Sequence, residues 1–436
     1  MMKIHALGLA AKISRNTRTR GGPSGTQVMR APTRPRCLTH IGGQGPIRFY
    51  RMLLLGVALC VASPTSVGAE LNLPPTRAPE ILAYRAHLPA IQQAVEEIQR
   101  EEHLKAILLG IRAGDEDEDV VTMAVGDSMS GVPATTAMHF RIGAVAIAYM
   151  GSILLQLVDQ GQVTLDDPVG KWLPELPNAR RVTLRMLINS TSGYPDYVPY
   201  EPFIKAFYAD VFRTWSPREL IETALKQPLK FEPGTGWSYA HTNFVILGLA
   251  LERATGQPFE QLMHDRIIQP LGLRDTANPR TPAIPEPVLH AYSTERGQYE
   301  ESTFWNPSWT LAQGAIMTST LRDMLTSARA IGTGALLSPA AFAQMLAPNT
   351  AKFPPWNAQS YYGLGVVAQA HHGWITQNPL FHGYGGVMAY LPGQQLAIAV
   401  VSTKTEQGNP DVNSSPRLFK RLTQILTPEH TVDPNP

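Results

Sequence analysis

The stretch from Val145 to Asp159 constrains the fold of this chain more than any other. "VAIAYMGSILLQLVD" is apolar on every face, the mark of a helix with protein on all sides. The runs around it suggest what surrounds it. Upstream, "LPAIQQAVEEIQREEHL" sets Ile91, Val95 and Ile98 at helical spacing. "KAILLGIRAG" and "VVTMAVGDS" then read as a strand hairpin around the acidic turn Asp115 to Asp119. That turn reads as a solvated tip rather than a calcium loop, because no bidentate ligand spacing follows. From about 160 to 345 the chain is helical and loop-rich, with many Pro and Gly stops. Strand patterns return in "YYGLGVVAQA", "GVMAYLP" and "QLAIAVVST", the last two joined by the Pro392-Gly393 turn, and a helix from about Pro416 to Leu426 follows. Strands at both ends of a helical insert imply an α/β fold: one antiparallel sheet built from both termini, helices packed on it and a helical lobe alongside. The expected domain spans 88–430, with a sheet lobe at 88–143 and 355–430 and a helical lobe at 160–345, after a leader segment at 70–87.

The first 69 residues read differently. They hold ten Lys or Arg and no Asp or Glu, and "RFYRMLLLGVALCVASPTSVGAEL" has the basic, apolar and small-residue parts of a secretory signal. Cleavage is expected after Ala69, with translation starting near Met52 and the basic residues before it an added extension. The apolar run Met52 to Ala62 is too short for a stable membrane span. Removing these residues leaves 27 basic residues against 35 acidic ones, a formal charge of about −8, which argues against nucleic acid as a partner. Cys37 and Cys60 go with the leader, so the exported chain, periplasmic or secreted, has neither disulfides nor thiolate metal ligands.

Several ordered segments resemble the serine β-lactamase and DD-peptidase superfamily, in its class C β-lactamase, carboxypeptidase and esterase branch. They are "FRIGAV" leading into "LLQLVDQGQVTLDDPVGKWLP", then "VTLRMLINSTSGYPDY", "FEPGTGWSYAHTNFVILGLALERATGQPF", "QPLGL", "YGLG" and "GYGGVMAYLPGQQLAIAVV". The resemblance implies a β-lactamase/transpeptidase-like fold and three catalytic clusters in one cleft. The first is Ser-x-x-Lys at the head of a buried helix, where three residues put both side chains on one face. A gap-free alignment sets Ala144 in the serine slot and Ile147 in the lysine slot, and neither serves as nucleophile or base. The second is Tyr-x-Asn, filled here by Tyr239-Ala240-His241, so the phenol is kept and the amide becomes imidazole. The third is Lys or His, any residue, then Gly on the strand lining the cleft. Counting back from Gly383-Tyr384, that slot falls on Gln377, Asn378 and Pro379; a proline there cannot donate a backbone hydrogen bond. With a shift in register, His371 to Gly373 or His382 are alternatives.

Once the serine has gone, an unpaired buried ammonium is costly, so Lys giving way to Ile fits a site released from catalysis. The resulting expectation is an exported, non-hydrolytic pseudoenzyme that binds a small-molecule or peptide ligand, of peptidoglycan type by family alone, with no cofactor and no metal. An active esterase, amidase or D-Ala-D-Ala carboxypeptidase-like enzyme with a rebuilt nucleophile is the alternative. Ser190, Ser192 and Ser238 are its nearest hydroxyls. Water activation by Tyr239 and His241 is a third reading, weakened by the lack of a clear carboxylate pair or an H-E-x-x-H motif. Asp166-Asp167 reads as a turn, and Tyr194, Asp196 and Tyr197 as cleft-lining or packing residues. Sequence alone fixes neither ligand nor oligomeric state.

Overall fold

The computed structural model describes residues 70–72, 84–114 and 120–432. The leader, both cysteines and the acidic tip at 115–119 lie outside the described residues. Five strands carry the sheet: β1 (Leu104–Ala113), β2 (Val120–Met129), β3 (Trp374–Gln377), β4 (Tyr384–Leu391) and β5 (Leu396–Lys404). β1 and β2 form the hairpin, Leu108 opposite Ala124, while β5 runs along the other edge of β1, Val400 opposite Leu109. The order is therefore β2, β1, β5, β4, β3, all antiparallel, with short strands extending both edges. The two ends of the chain thus share one sheet.

Side chains alternate between two cores, as the period of two in a strand requires. Ile107 and Leu109 of β1 join Ile398 and Val400 of β5 on one face. There they meet α1 (Leu88–Glu101) through Ile91 and Val95, and the C-terminal helix Ser415–Leu426 through Leu418 and Leu422. Leu108, Ala399 and Val401 point to the other face, toward the larger core. That core holds α2 (Val145–Asp159), α3 (His241–Thr255) and α4 (Leu321–Thr333). Two two-residue strand pairs also reach the stretch that reads as helical: Thr318–Ser319 within it pairs with Phe140–Arg141 ahead of it, and Tyr292–Ser293 pairs with Glu300–Glu301. They are too short to show an alternating pattern. The first pair fixes the approach to α2.

Along α2, Val145 to Met150 and Ile153 to Leu155 are essentially inaccessible to solvent. Its closest neighbour is backbone. A Cβ on Gly151 would stand 2.2 Å from the carbonyl oxygen of Leu364, and one on Gly365 would stand 2.6 Å from that of Ile147. Two glycines therefore let the helix and the 364–365 segment approach to contact. On the opposite side, Tyr149 donates to Ser327 of α4 at 2.7 Å. Alanine is the better helix former by about 1 kcal/mol, whereas overpacking a rigid core costs about 1–3 kcal/mol. Gly151→Ala is accordingly expected to destabilise the protein, lowering the urea midpoint of unfolding; an unchanged or higher midpoint would show that the contact is not tight.

Candidate active-site cleft

A cavity of about 420 Å³ runs from the head of α2 past the end of β3 to the C-terminal helix at Pro416 and Phe419. Ala144, Tyr239, His241 and Gln377 all line it, so four of the five slots converge there. Ile147, the fifth, does not line the cavity. Gly143, at φ +48°, turns the chain into α2, and the first helical bonds run from the N–H groups of Val145, Ala146 and Ile147 to the carbonyls of Ile142, Gly143 and Ala144. Ala144 presents a methyl to the cavity where the resemblance calls for a hydroxyl. Three residues on, Ile147 is 0% exposed and packed into the main core.

The third slot lies at the end of β3. Gln377 is buried, and its amide donates to the carbonyl oxygen of Gly365 at 2.5 Å. β3 faces β4 with Gln377 opposite Met388; Leu380 and Phe381 resume the same register opposite Gly385 and Tyr384. The ladder is interrupted at Asn378 and Pro379, because proline has no N–H to contribute. The carbonyl of Pro379 still accepts from the Gly386 N–H at 2.9 Å and from the Asn413 amide at 2.8 Å. The same Asn413 amide also donates to the carbonyl of Gly386 at 2.8 Å, which ties this gap to the loop before the C-terminal helix. Of the alternatives, His371 to Gly373 form a turn away from the cavity walls. His382 is buried behind the wall, with Nδ1 2.7 Å from Glu295 and its ring stacked on Phe207. Burial is the largest single influence on the Glu295 carboxyl and would raise it, but the charge of His382 and the hydrogen bonds from His382, Tyr208 and Ser293 together bring it below the usual carboxylate range.

Tyr239 and His241 sit where the chain enters α3, their rings 5.1 Å apart. Burial above all, then the neighbouring Tyr362 and Asp196, push the Tyr239 phenol well above its ordinary range, so it keeps its proton at neutral pH. His241 is the first residue of α3, and Ala240 before it has no side chain to cap the helix. Asp196 takes that role from outside: its Oδ1 accepts from the backbone N–H of His241 at 3.2 Å and of Val198 at 3.1 Å. Its Oδ2 also faces Nδ1 of the His241 ring at 3.0 Å. Nε2 of His241 makes no protein hydrogen bond. The "SGYPDY" segment, read from sequence only as cleft-lining or packing, thus supplies His241 with a carboxylate partner. Its neighbours do not share its role: Tyr194 donates to the Pro177 carbonyl and Tyr197 to that of Trp309, both from within the core.

The remaining candidates separate by access. Ser190 and Ser192 are 0% exposed, and Ser192 is bonded to Asn243 at 2.5 Å. Ser238 alone of the three lines the cavity. Asp166 and Asp167 lie elsewhere, in a turn held by Arg185, Lys171 and the Thr164 N–H. Among the described residues no group of three or more His, Cys, Asp or Glu is placed to share a metal ion.

A family model described as Beta-lactamase matches residues 92–420. A putative penicillin-binding protein, PbpX of Bacillus subtilis, is 26% identical over 227 residues, 52% of either chain. The D-alanyl-D-alanine-carboxypeptidase/endopeptidase AmpH of Escherichia coli is 30% identical over 258 residues, 57% of this chain and 61% of that one. The chain thus spans between half and two thirds of the length of these curated relatives. A crystal structure of a D-stereospecific amidohydrolase from Streptomyces sp. superposes with a TM-score of 0.68 at 28% identity, covering 78% of this chain and 98% of that one.

Ile147→Lys alone is expected to destabilise the fold by about 3–5 kcal/mol, the usual cost of a buried charge without its partner. Urea denaturation checks it. A loss below about 1 kcal/mol, the scale of ordinary surface changes, would mean the ammonium escapes to the cleft.

Proposed function

The chain belongs to the β-lactamase family, and from that premise we propose an exported pseudoenzyme that has lost the acyl-serine reaction and holds its ligand noncovalently in the former active-site cleft. One observation carries the reading: a methyl at the head of α2, with Ile147 sealed in the core behind it. Losing a catalytic serine costs on the order of 10⁶ in turnover, roughly 8 kcal/mol of barrier. Substitution at the third slot adds to that loss, since Gln377 is engaged with Gly365 and Pro379 has no N–H to offer. The cavity is of ordinary size for a small-molecule or short peptide ligand. The names of the relatives, a penicillin-binding protein and a D-alanyl-D-alanine-carboxypeptidase, favour peptides of peptidoglycan type. The leader composition supports export to the periplasm or beyond, and among the described residues no helix is long and apolar enough to cross a membrane.

A rebuilt serine hydrolase is the second reading, and the observation in its favour is that Ser238 lines the cavity beside Tyr239. Intact mass after incubation with a fluorophosphonate and with a panel of penicillins separates the two. No mass increase is expected, and Ala144→Ser combined with Ile147→Lys is expected to become labelled. A stable adduct on a serine of the unaltered protein would overturn the pseudoenzyme reading and identify the nucleophile.

A further inference from the structure

The acyl-serine route gives no reason for the imidazole at position 241 or for its carboxylate partner. We infer that His241 and Asp196 form a general-base dyad that activates a water molecule for direct attack on a carboxylic ester bound in the cleft, with no acyl-enzyme. This keeps the loss of serine chemistry, rests on the same cleft admitting a small ligand, and replaces mere holding of that ligand by its turnover.

The geometry fixes which nitrogen acts. Asp196, itself held by the N–H groups of His241 and Val198, accepts from Nδ1–H of the ring at 3.0 Å. That assignment of the tautomer, made from the hydrogen-bond network, leaves the lone pair on Nε2. Nε2 has no protein partner, and the side chain is 18% exposed on the cavity wall. A base oriented by a third group is the arrangement that nucleophilic hydrolases need, whether the proton comes from a serine or from water. The cavity, at about 420 Å³, has room for an acyl group together with a water, whose share of liquid volume is about 30 Å³. No side chain competes for the carbonyl carbon at the head of α2, because Ala144 offers only a methyl.

The step balances without a further reagent. Nε2 takes a proton from water as the oxygen bonds to the carbonyl carbon. The tetrahedral adduct then expels the alcohol oxygen, which receives that proton back from the imidazolium, giving one carboxylic acid and one alcohol. Asp196 keeps its charge throughout and holds the imidazolium. Tyr239, whose hydroxyl has no protein partner, can donate to the developing oxyanion. Esters are favoured over amides because Ile147 removes the second cation that would help an amine depart, and because the walls contributed by Trp309, Leu311 and Phe381 suit an apolar acyl chain.

The test is turnover of 4-nitrophenyl butyrate by the full-length protein, with intact mass recorded during the reaction. Turnover above the buffer rate is expected, with no acyl adduct in the protein's mass at any point in the reaction. The other ionisable groups on the cavity wall are Asp196, Asp411, Lys230 and the phenols of Tyr239 and Tyr362, and Tyr197 packs against the ring. His241→Asn should lower turnover by about 10²-fold, the low end of general-base contributions. Asp196→Asn should lower it as well, and added imidazole should restore part of the loss in His241→Gly, an effect that a structural histidine would not show. If these variants do not fold, turnover and intact mass of the unaltered protein still decide. No turnover above the buffer rate, or full turnover in folded His241→Asn, overturns the dyad and leaves the binding-only pseudoenzyme reading standing. An acylated serine overturns both.

Discussion

Pairing between β5 and β1 is the interaction on which the rest of the molecule depends. It joins residues from the two ends of the chain, and neither segment can bury both of its faces without the other. Closing so long a loop costs entropy that must be offset by burial, and the near-continuous apolar character of both strands supplies it. Once the sheet is formed, one face fixes α1 and the C-terminal helix while the other becomes the floor for α4 and α2. The cleft exists because α2 points its head at the end of β3.

The altered slots are coherent when considered as contacts. Catalysis in this family asks a buried helix to hold an ammonium next to the core and asks an inner strand to end in a charged side chain. Both demands cost stability and are justified only by reactivity. In this chain Ile147 completes the packing around α2, and the Gln377 amide satisfies the Gly365 carbonyl beside it. The strand gap at Pro379 is secured by the Asn413 amide. Each position has a packing or hydrogen-bonding role.

Much of the fold was legible in the sequence, because it rests on period and composition. α2 declared itself through fifteen residues with no polar face, and the terminal strands through their apolar runs and the Pro392-Gly393 turn. The two-residue pairs such as Phe140–Arg141 with Thr318–Ser319 were not legible, since two residues cannot display an alternation. Motif alone could locate Ala144, Tyr239, His241 and Gln377 in the cleft and Ile147 in the core behind it. What the sequence withheld was the company each keeps. Asp196 and Tyr194 stand in the same short segment, yet one reaches the imidazole and the other packs against Pro177. Only the path of the chain before α3 distinguishes them. Likewise nothing local marks Gln377 as the partner of Gly365.

The hydrogen bond between Gln377 and Gly365 couples two distant parts of the cleft. Gly365 is also the residue whose missing side chain lets its backbone touch the carbonyl of Ile147, so one glycine links the third slot to the first. A change at either slot therefore acts on a segment that the other also contacts. Stability effects of substitutions at the two slots should fail to add, because one residue carries the strain of both.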